Sequence, residues 1–426
     1  MWDSTKSLIP EHINSAILIC CEPHDPREME RLLESLRITV VDEVVSPDKK
    51  PNPATFIGEG KVSEVAERAL ASQVPLVVID TELTPRQVQN LEEIIKVPIL
   101  DRPGVILEIF HRNARSNEAK TQVELARLEY ILPRLSGLWT HFERQRGGGV
   151  GNRGMGEKQF EVDRRLIRVR MDKLRERLAK VVKSREERRK SRRDLLKVAL
   201  LGYTNAGKST LLNALTQSEV LAQNKLFATL DASIRLLTPD SHPPVAAVDT
   251  VGFVSRLPHG LVASFRSTLE EIKDADLILH VVDGSSEFMR DEIEVALQVL
   301  EDLNVEGTPR MTVFNKSDLM SSRDKLLSRV LVPKSICVSA LVARDVSRLR
   351  EAVLGHFQGK LPVVDLLIPF DDGKSDARVH EVSVVEKKKP MAQGMFYRVR
   401  ISDVNLKKFK LDQFQLASAK KRKAKS

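Results

Sequence analysis

Cysteine is scarce in this chain of 426 residues: Cys20, Cys21 and Cys337 are the only three. None has the spacing of a metal-ligand pair. Cys20 and Cys21 sit side by side in an apolar run that reads as a buried strand, so all three are expected in the core. Long apolar runs are missing as well. No stretch reaches the ~20 consecutive apolar residues that a membrane helix needs. The opening residues, MWDSTKSLIPEHIN, have neither the basic start nor the apolar run of a secretory signal, so no transmembrane segment and a cytoplasmic location are expected. What the chain does have is length and charge. At 42% apolar and 30% charged residues it is too long for one compact core and too apolar to be disordered. Its formal net charge of +9 is concentrated in the middle of the chain and at its end, which favours a polyanionic partner.

The pattern predicts an α/β multidomain protein. From Ser15 to about Phe110, β-rich runs (AILICC, ITVVDEVV, PLVVID, VPIL) alternate with helix-like segments after Asp25, Gly60 and Thr84, implying a small, largely parallel α/β domain over residues 1–112. Thr84 followed by Pro85 is a cap and first-turn pair. The piece Phe56 to Lys61, FIGEGK, has two of the glycines of a dinucleotide fingerprint; a tight turn into a helix is the plainer reading. Over 113–194, Leu125, Leu128, Leu132 and Leu135 form one apolar stripe and Ile167, Met171, Leu174, Leu178 and Val181 another, predicting two helices packed as an antiparallel hairpin, the first ending near Leu132 because of Pro133. Between them RQRGGGVGNRGMGE reads as a mobile cationic loop. Arg144, Arg146, Gly147, Gly148, Gly149 and Arg153 are its candidate RNA-contacting residues, against the plainer reading of the following basic run, Lys183 to Arg193, as a solvated helix face. A second α/β unit with a mainly parallel sheet is expected over 195–360. A small α+β domain with strands in VDLLIPF, HEVSVVE and MFYRVRIS, ending in a disordered basic tail, is expected over 361–426.

The chemistry is concentrated in the second α/β unit. Gly202-Tyr203-Thr204-Asn205-Ala206-Gly207-Lys208-Ser209 fits G-x-x-x-x-G-K-[ST]; it follows the strand LLKVALLG and leads through Thr210 into the helix pattern TLLNALTQ. The glycines let backbone N–H groups wrap phosphates, Lys208 reaches the β- and γ-phosphates, and Ser209 offers a hydroxyl to Mg²⁺. Asp249-Thr-Val-Gly252 closes the apolar strand VAAVD, placing a carboxylate for Mg²⁺ and a glycine N–H for the γ-phosphate. Thr229 in LFATLD is the candidate hydroxyl that closes over both. Asn315-Lys316-Ser317-Asp318 follows MTVF. An aspartate there accepts from the N1–H and 2-amino groups of guanine, and adenine has no 2-amino group, so the pattern points to GTP and GDP. Ser339-Ala340, after SICVS, is the candidate source of an N–H for guanine O6. Phe253, directly after Gly252, cannot orient the attacking water by a side-chain hydrogen bond, so hydrolysis by the chain alone is expected to be slow and completed by a partner or by rearrangement of FVSRLPHGLVASFRSTLEE. Asn205 is similar to the asparagine with which some GTPases hold K⁺ beside the phosphates; a turn-forming asparagine is the alternative.

With these motifs the chain resembles the HflX family of ribosome-associated GTPases, in the Obg–HflX group. The stretches FIGEGKV, DRPGVILEIF, AKTQVELARLEYILPRL, RQRGGGVGNRGMGEKQFEVDRR, GYTNAGKST, LFATLD and DTVGFVSRLPHGLVASFRSTLEE carry the resemblance. Departures from the family pattern are Pro103 and Gly104, Ser116 and Asn117, and Ala232 and Ser233. The resemblance implies binding to the large (50S) ribosomal subunit and 23S rRNA, splitting of stalled 70S ribosomes under stress while GTP is bound, and resetting by hydrolysis. It also implies that the glycine-rich loop reaches toward the peptidyl-transferase region. Two other readings stand beside it: a large-subunit assembly factor, which would leave mature 70S particles intact, and a GTP-switched protein-recruitment module, whose binding would ignore salt.

Overall fold

The computed structural model describes residues 8–10, 12–21, 26–46, 51–135, 153–190, 196–217, 233–237, 244–250, 252–254, 272–302, 305 and 307–416. The chain divides into two compact units, the first built mainly on Met1–Glu187 and the second on Arg188–Ala222, Ala232–Thr250 and Glu270–Ser426.

In the first unit four parallel strands, β1 (Ser15–Cys21), β2 (Thr39–Ser46), β3 (Val77–Ile79) and β4 (Ile99–Asp101), lie in the order β2-β1-β3-β4. The crossovers carry the helices Pro26–Ser35, Glu59–Ala71 and Pro85–Ile95. Both faces of the sheet are covered, which is why β1 is apolar without alternation: Ala16, Leu18 and Cys20 enter one core, Ile17, Ile19 and Cys21 the other. Burial pushes the Cys20 thiol up to about 12, as expected of a core cysteine, whereas Cys337 in the second unit is only half-buried. Thr84 and Gln87 form a reciprocal capping box at the Pro85 helix. FIGEGK is a turn into a helix: the left-handed residue is Phe56 (φ 66°), and a Cβ on Gly60 would touch nothing within 4 Å, so no close backbone approach is built there.

At the carboxyl end of β4, Asp101 caps the helix Arg102–Asn113. It accepts from Gly104 N–H (3.0 Å), Leu83 N–H (3.2 Å), the Tyr130 hydroxyl (2.6 Å) and Arg134 Nη2 (3.0 Å). A Cβ on Gly104 would lie 2.5 Å from Leu100 Cδ1 and 2.7 Å from the Tyr130 hydroxyl, so a side chain there would have to displace both side-chain ends.

The two apolar stripes of 113–194 meet, but Ile131 takes the core place expected of Leu132, Leu132 and Leu178 are only partly buried against the cluster, and Val181 is not part of it. Leu125, Leu128, Ile131 and Leu135 pack with Ile167, Met171 and Leu174 between the helices Asn117–Ile131 and Arg153–Lys190, flanked by the ion pairs Arg170–Glu124 and Arg175–Glu129. Pro133 falls in a 3-10 turn, Leu132–Arg134, that ends the first helix. The second helix starts at Arg153, so Arg-Gly-Met-Gly-Glu is its first turn and not part of a loop; glycine costs least at a helix start, where fewer intrahelical bonds depend on it.

In the second unit a six-stranded sheet has the order β10-β9-β8-β5-β7-β6. Its strands are β5 (Leu196–Leu201), β6 (Ser233–Leu236), β7 (Val245–Asp249), β8 (Leu277–Asp283), β9 (Arg310–Asn315) and β10 (Ile336–Cys337). Only β6 is antiparallel, to β7. A three-stranded antiparallel sheet follows, order β11-β13-β12, from β11 (Val363–Ile368), β12 (Val384–Met391) and β13 (Gly394–Arg400). Here HEVSVVE is split. His380 to Val382 end the helix Gly373–Val382, and β12 runs on through three exposed lysines, Lys387 to Lys389, whose charge suits an edge strand. Among the described residues no helix is long and apolar enough to cross a membrane.

Candidate nucleotide site

The loop that leaves β5 is shaped by its glycines. A Cβ on Gly202 would sit 1.9 Å from the Val281 carbonyl oxygen of β8, and Gly207 takes φ 86° with a phantom Cβ 2.2 Å from Asn315 Nδ2. Neither position accepts a side chain. Asn205 is left-handed at φ 63°, a conformation asparagine tolerates. Gly207 is the N-cap of the helix Lys208–Thr216, so the loop's N–H groups and the helix N-terminus form one anion-attracting concavity. Lys208 is buried and donates to the carbonyls of Gly202 (3.0 Å) and Tyr203 (2.8 Å). Burial pushes its ammonium down to about 8, against the opposing pull of Asp249 and Glu292. Behind the loop, burial together with the charges of Arg310 and Lys208 lowers His280 to about 4, keeping it neutral near pH 7.

Ser209 Oγ donates to Asp249 Oδ2 at 2.8 Å, and Asp249 closes β7 at 2% exposure. Next to it Thr250 Oγ donates to Leu200 O of β5 at 2.6 Å, fixing the exit of the strand. A hydroxyl beside a buried carboxylate is a hard-oxygen pair, the donor chemistry that suits Mg²⁺. Gly252, Phe253 and Val254 are buried but belong to the first unit, where Val254 enters the core. Thr204 and Ala206 are buried; Tyr203 and Thr210 are half-buried.

Asn315 joins the motifs. Its Nδ2 donates to Ala206 O in the loop (2.9 Å) and its Oδ1 accepts from Ala340 N–H (3.1 Å). Ser317 N–H donates to Val338 O at 3.0 Å, Lys316 (φ 59°) pairs with Asp283 at 2.6 Å, and Asp318 is exposed. Ser339 is buried and its N–H goes to Asp345 Oδ2 at 2.9 Å. Asp283 and Asp345 escaped sequence reasoning. Each is a single aspartate outside any spaced motif, Asp283 marked only by closing the apolar strand LILHVVD. Thr229, Arg144, Arg146, Gly147, Gly148 and Gly149 lie outside the described residues, as does the side chain of Arg153.

A phosphate loop braced by an asparagine that also holds the segment expected to read the base is the architecture of a P-loop GTPase. Family comparisons agree: residues 197–316 match the family described as 50S ribosome-binding GTPase, 24–111 the GTP-binding GTPase N-terminal family and 113–192 the GTP-binding GTPase middle region. The chain is 39% identical to GTPase HflX of Escherichia coli over 85% of its own length and 86% of that protein. It is 45% identical to GTPase HflX of Magnetococcus marinus over 79% of each. A solved structure of SsGBP in complex with GDP is 25% identical, covering 80% of this chain and 97% of that one, at a TM-score of 0.46. The chain belongs to the HflX family of GTPases.

Proposed function

We propose that this GTPase binds the large ribosomal subunit, splits or rescues stalled 70S ribosomes under stress in its triphosphate form, and is reset by hydrolysis. The observation that carries the reading is the succession of three family matches along one chain, ending in the one described as a 50S ribosome-binding GTPase. Excess positive charge supports a polyanionic partner such as 23S rRNA. In this reading residues 1–112, 113–194, 195–360 and 361–426 are the working domains, and the glycine-rich segment with Arg144 and Arg146, together with Arg153 at the start of the helix that follows, is the part that meets RNA.

At the nucleotide, Gly202 to Thr210 wrap the phosphates and the Lys208 ammonium exchanges its carbonyl partners for phosphate oxygens, whose negative charge offsets the cost of burying the ammonium. Ser209, Asp249 and Thr229 hold Mg²⁺, which when bound neutralises charge on the β- and γ-phosphates. Gly252 offers its N–H to the γ-phosphate. Asp318 accepts from the guanine N1–H and 2-amino groups, Asn315 and Lys316 brace the base site, and guanine O6 shares the Ala340 N–H with Asn315 Oδ1. Asn205 is the position at which K⁺ would sit, and turnover in K⁺ against Na⁺ tests it. Because Phe253, directly after Gly252, has no polar group for the attacking water, the ribosome completes the site.

Splitting is tested by sedimenting 70S ribosomes with the protein and a slowly hydrolysed GTP analogue. The 70S peak should fall and free subunits rise. An intact 70S peak with the protein bound only to immature large particles would replace splitting by subunit assembly.

A further inference from the structure

The segments that would read the base are weakly held by backbone alone. β10 is an edge strand of two residues, paired only as Ile336 to Val313 and Cys337 to Phe314. Beyond it Ser339 and Ala340 leave the ladder, and two backbone bonds through Val338, its N–H to Phe314 O at 2.8 Å and Ser317 N–H to its O at 3.0 Å, continue the link between the two chain segments. Side chains supply the rest. Asn315 takes the Ala340 N–H. Asp345, in the first turn of the helix Ala343–Lys360, takes the Ser339 N–H at 2.9 Å and the Ser317 hydroxyl at 3.3 Å on one carboxylate oxygen. Its other oxygen faces Arg348 at 3.3 Å, and Arg348 also donates to Cys337 O at the end of β10. A carboxylate in a first helical turn is favoured by the helix dipole, and at 21% exposure it is shielded enough for its hydrogen bonds to hold direction.

We propose that Asp345 is a positioning residue for base selection: it ties the Asn315–Asp318 segment and the Ser339–Ala340 segment to one rigid helix, setting the distance between the acceptor and donor sides of the guanine. The proposal rests on the guanine-site reading above. It accounts for why two loops served by so short a ladder keep one geometry. Asp345 touches no nucleotide atom in this role; it acts through Ser317 and Ser339.

The test uses the full chain and its variants Asp345→Ala, Asp345→Asn and Ser317→Ala. It measures GDP and IDP affinity, GDP dissociation and the KM and kcat for GTP; inosine lacks the 2-amino group. Asp345→Ala should speed GDP release and raise the KM for GTP by ~10-fold, the size expected for losing hydrogen bonds to a charged acceptor, with kcat at saturation unchanged. Its preference for GDP over IDP should shrink as well. Asp345→Asn, whose amide oxygen still accepts from Ser339 and Ser317, should restore most of the preference. Ser317→Ala should show a smaller change of the same sign, and carries the test if Asp345→Ala does not fold. A purely structural aspartate would lower the melting temperature and leave the GDP to IDP ratio alone, and that outcome overturns the proposal. Asp318→Ala separates the two readings. If it abolishes the preference while the Asp345 variants keep it, only the positioning role fails; if it leaves the preference intact, the guanine site itself has been misplaced.

Discussion

Glu92 shows how far one buried carboxyl departs from its solution behaviour. It lies on the helix Pro85–Ile95, 8% exposed, and accepts from the Ile99 N–H at 3.2 Å, yet burial raises it from 4.5 to about 7. The folded state therefore prefers the protonated acid. That preference stabilises the fold fully below pH 4.5, where the unfolded group is protonated too, and the stabilisation is lost as pH rises through about 7. Glu92→Gln keeps an oxygen for the Ile99 N–H and removes the titration. Urea unfolding from pH 5 to 8 should show the parent losing stability on the order of 2–3 kcal/mol that the glutamine variant retains. Equal slopes for the two proteins would mean that Glu92 ionises in place without penalty. Single residues such as Asp283 and Asp345 were not legible beforehand for a related reason: their partners Lys316 and Ser317 are remote in sequence, and nothing local marks an aspartate that will be used this way.

Among the elements, the phosphate loop is the most constrained. Gly207→Ala would force a side chain to adopt φ 86° and to overlap Asn315 Nδ2, breaking the brace to Ala206 and Ala340. The expected cost is about 1–3 kcal/mol of strain, together with loss of GDP binding, read by thermal unfolding and by titration with a fluorescent GDP. The loop was legible in the sequence because its function fixes glycine, lysine and serine at set distances. The parallel strands were legible because burial on both faces makes them continuously apolar, as in SAILICC and VAAVD. The stripes Leu125 to Leu135 and Ile167 to Leu174 were legible because two helices must bury each other's period. Elements failed where local signals are shared. HEVSVVE alternates, but its first residues finish a helix whose exit is held by Ser383 Oγ donating to Val379 O. RGMGE looked like loop because glycine is poor inside helices, although a first turn tolerates it.

For the whole molecule the decisive facts are an HflX-family chain, a formal charge of +9 and a GTPase site that lacks a polar side chain after Gly252. On the function proposed above they make it an enzyme whose rate belongs to a complex. The most direct measurement is GTP turnover by the purified protein alone, with large subunits and with 70S ribosomes, at matched K⁺ concentration and at two salt concentrations. Slow turnover alone, strong stimulation by large subunits and 70S particles, and loss of that stimulation at the higher salt are the predicted result. Appreciable turnover alone that neither particle increases would contradict it, leaving a self-sufficient GTPase whose partner is a protein.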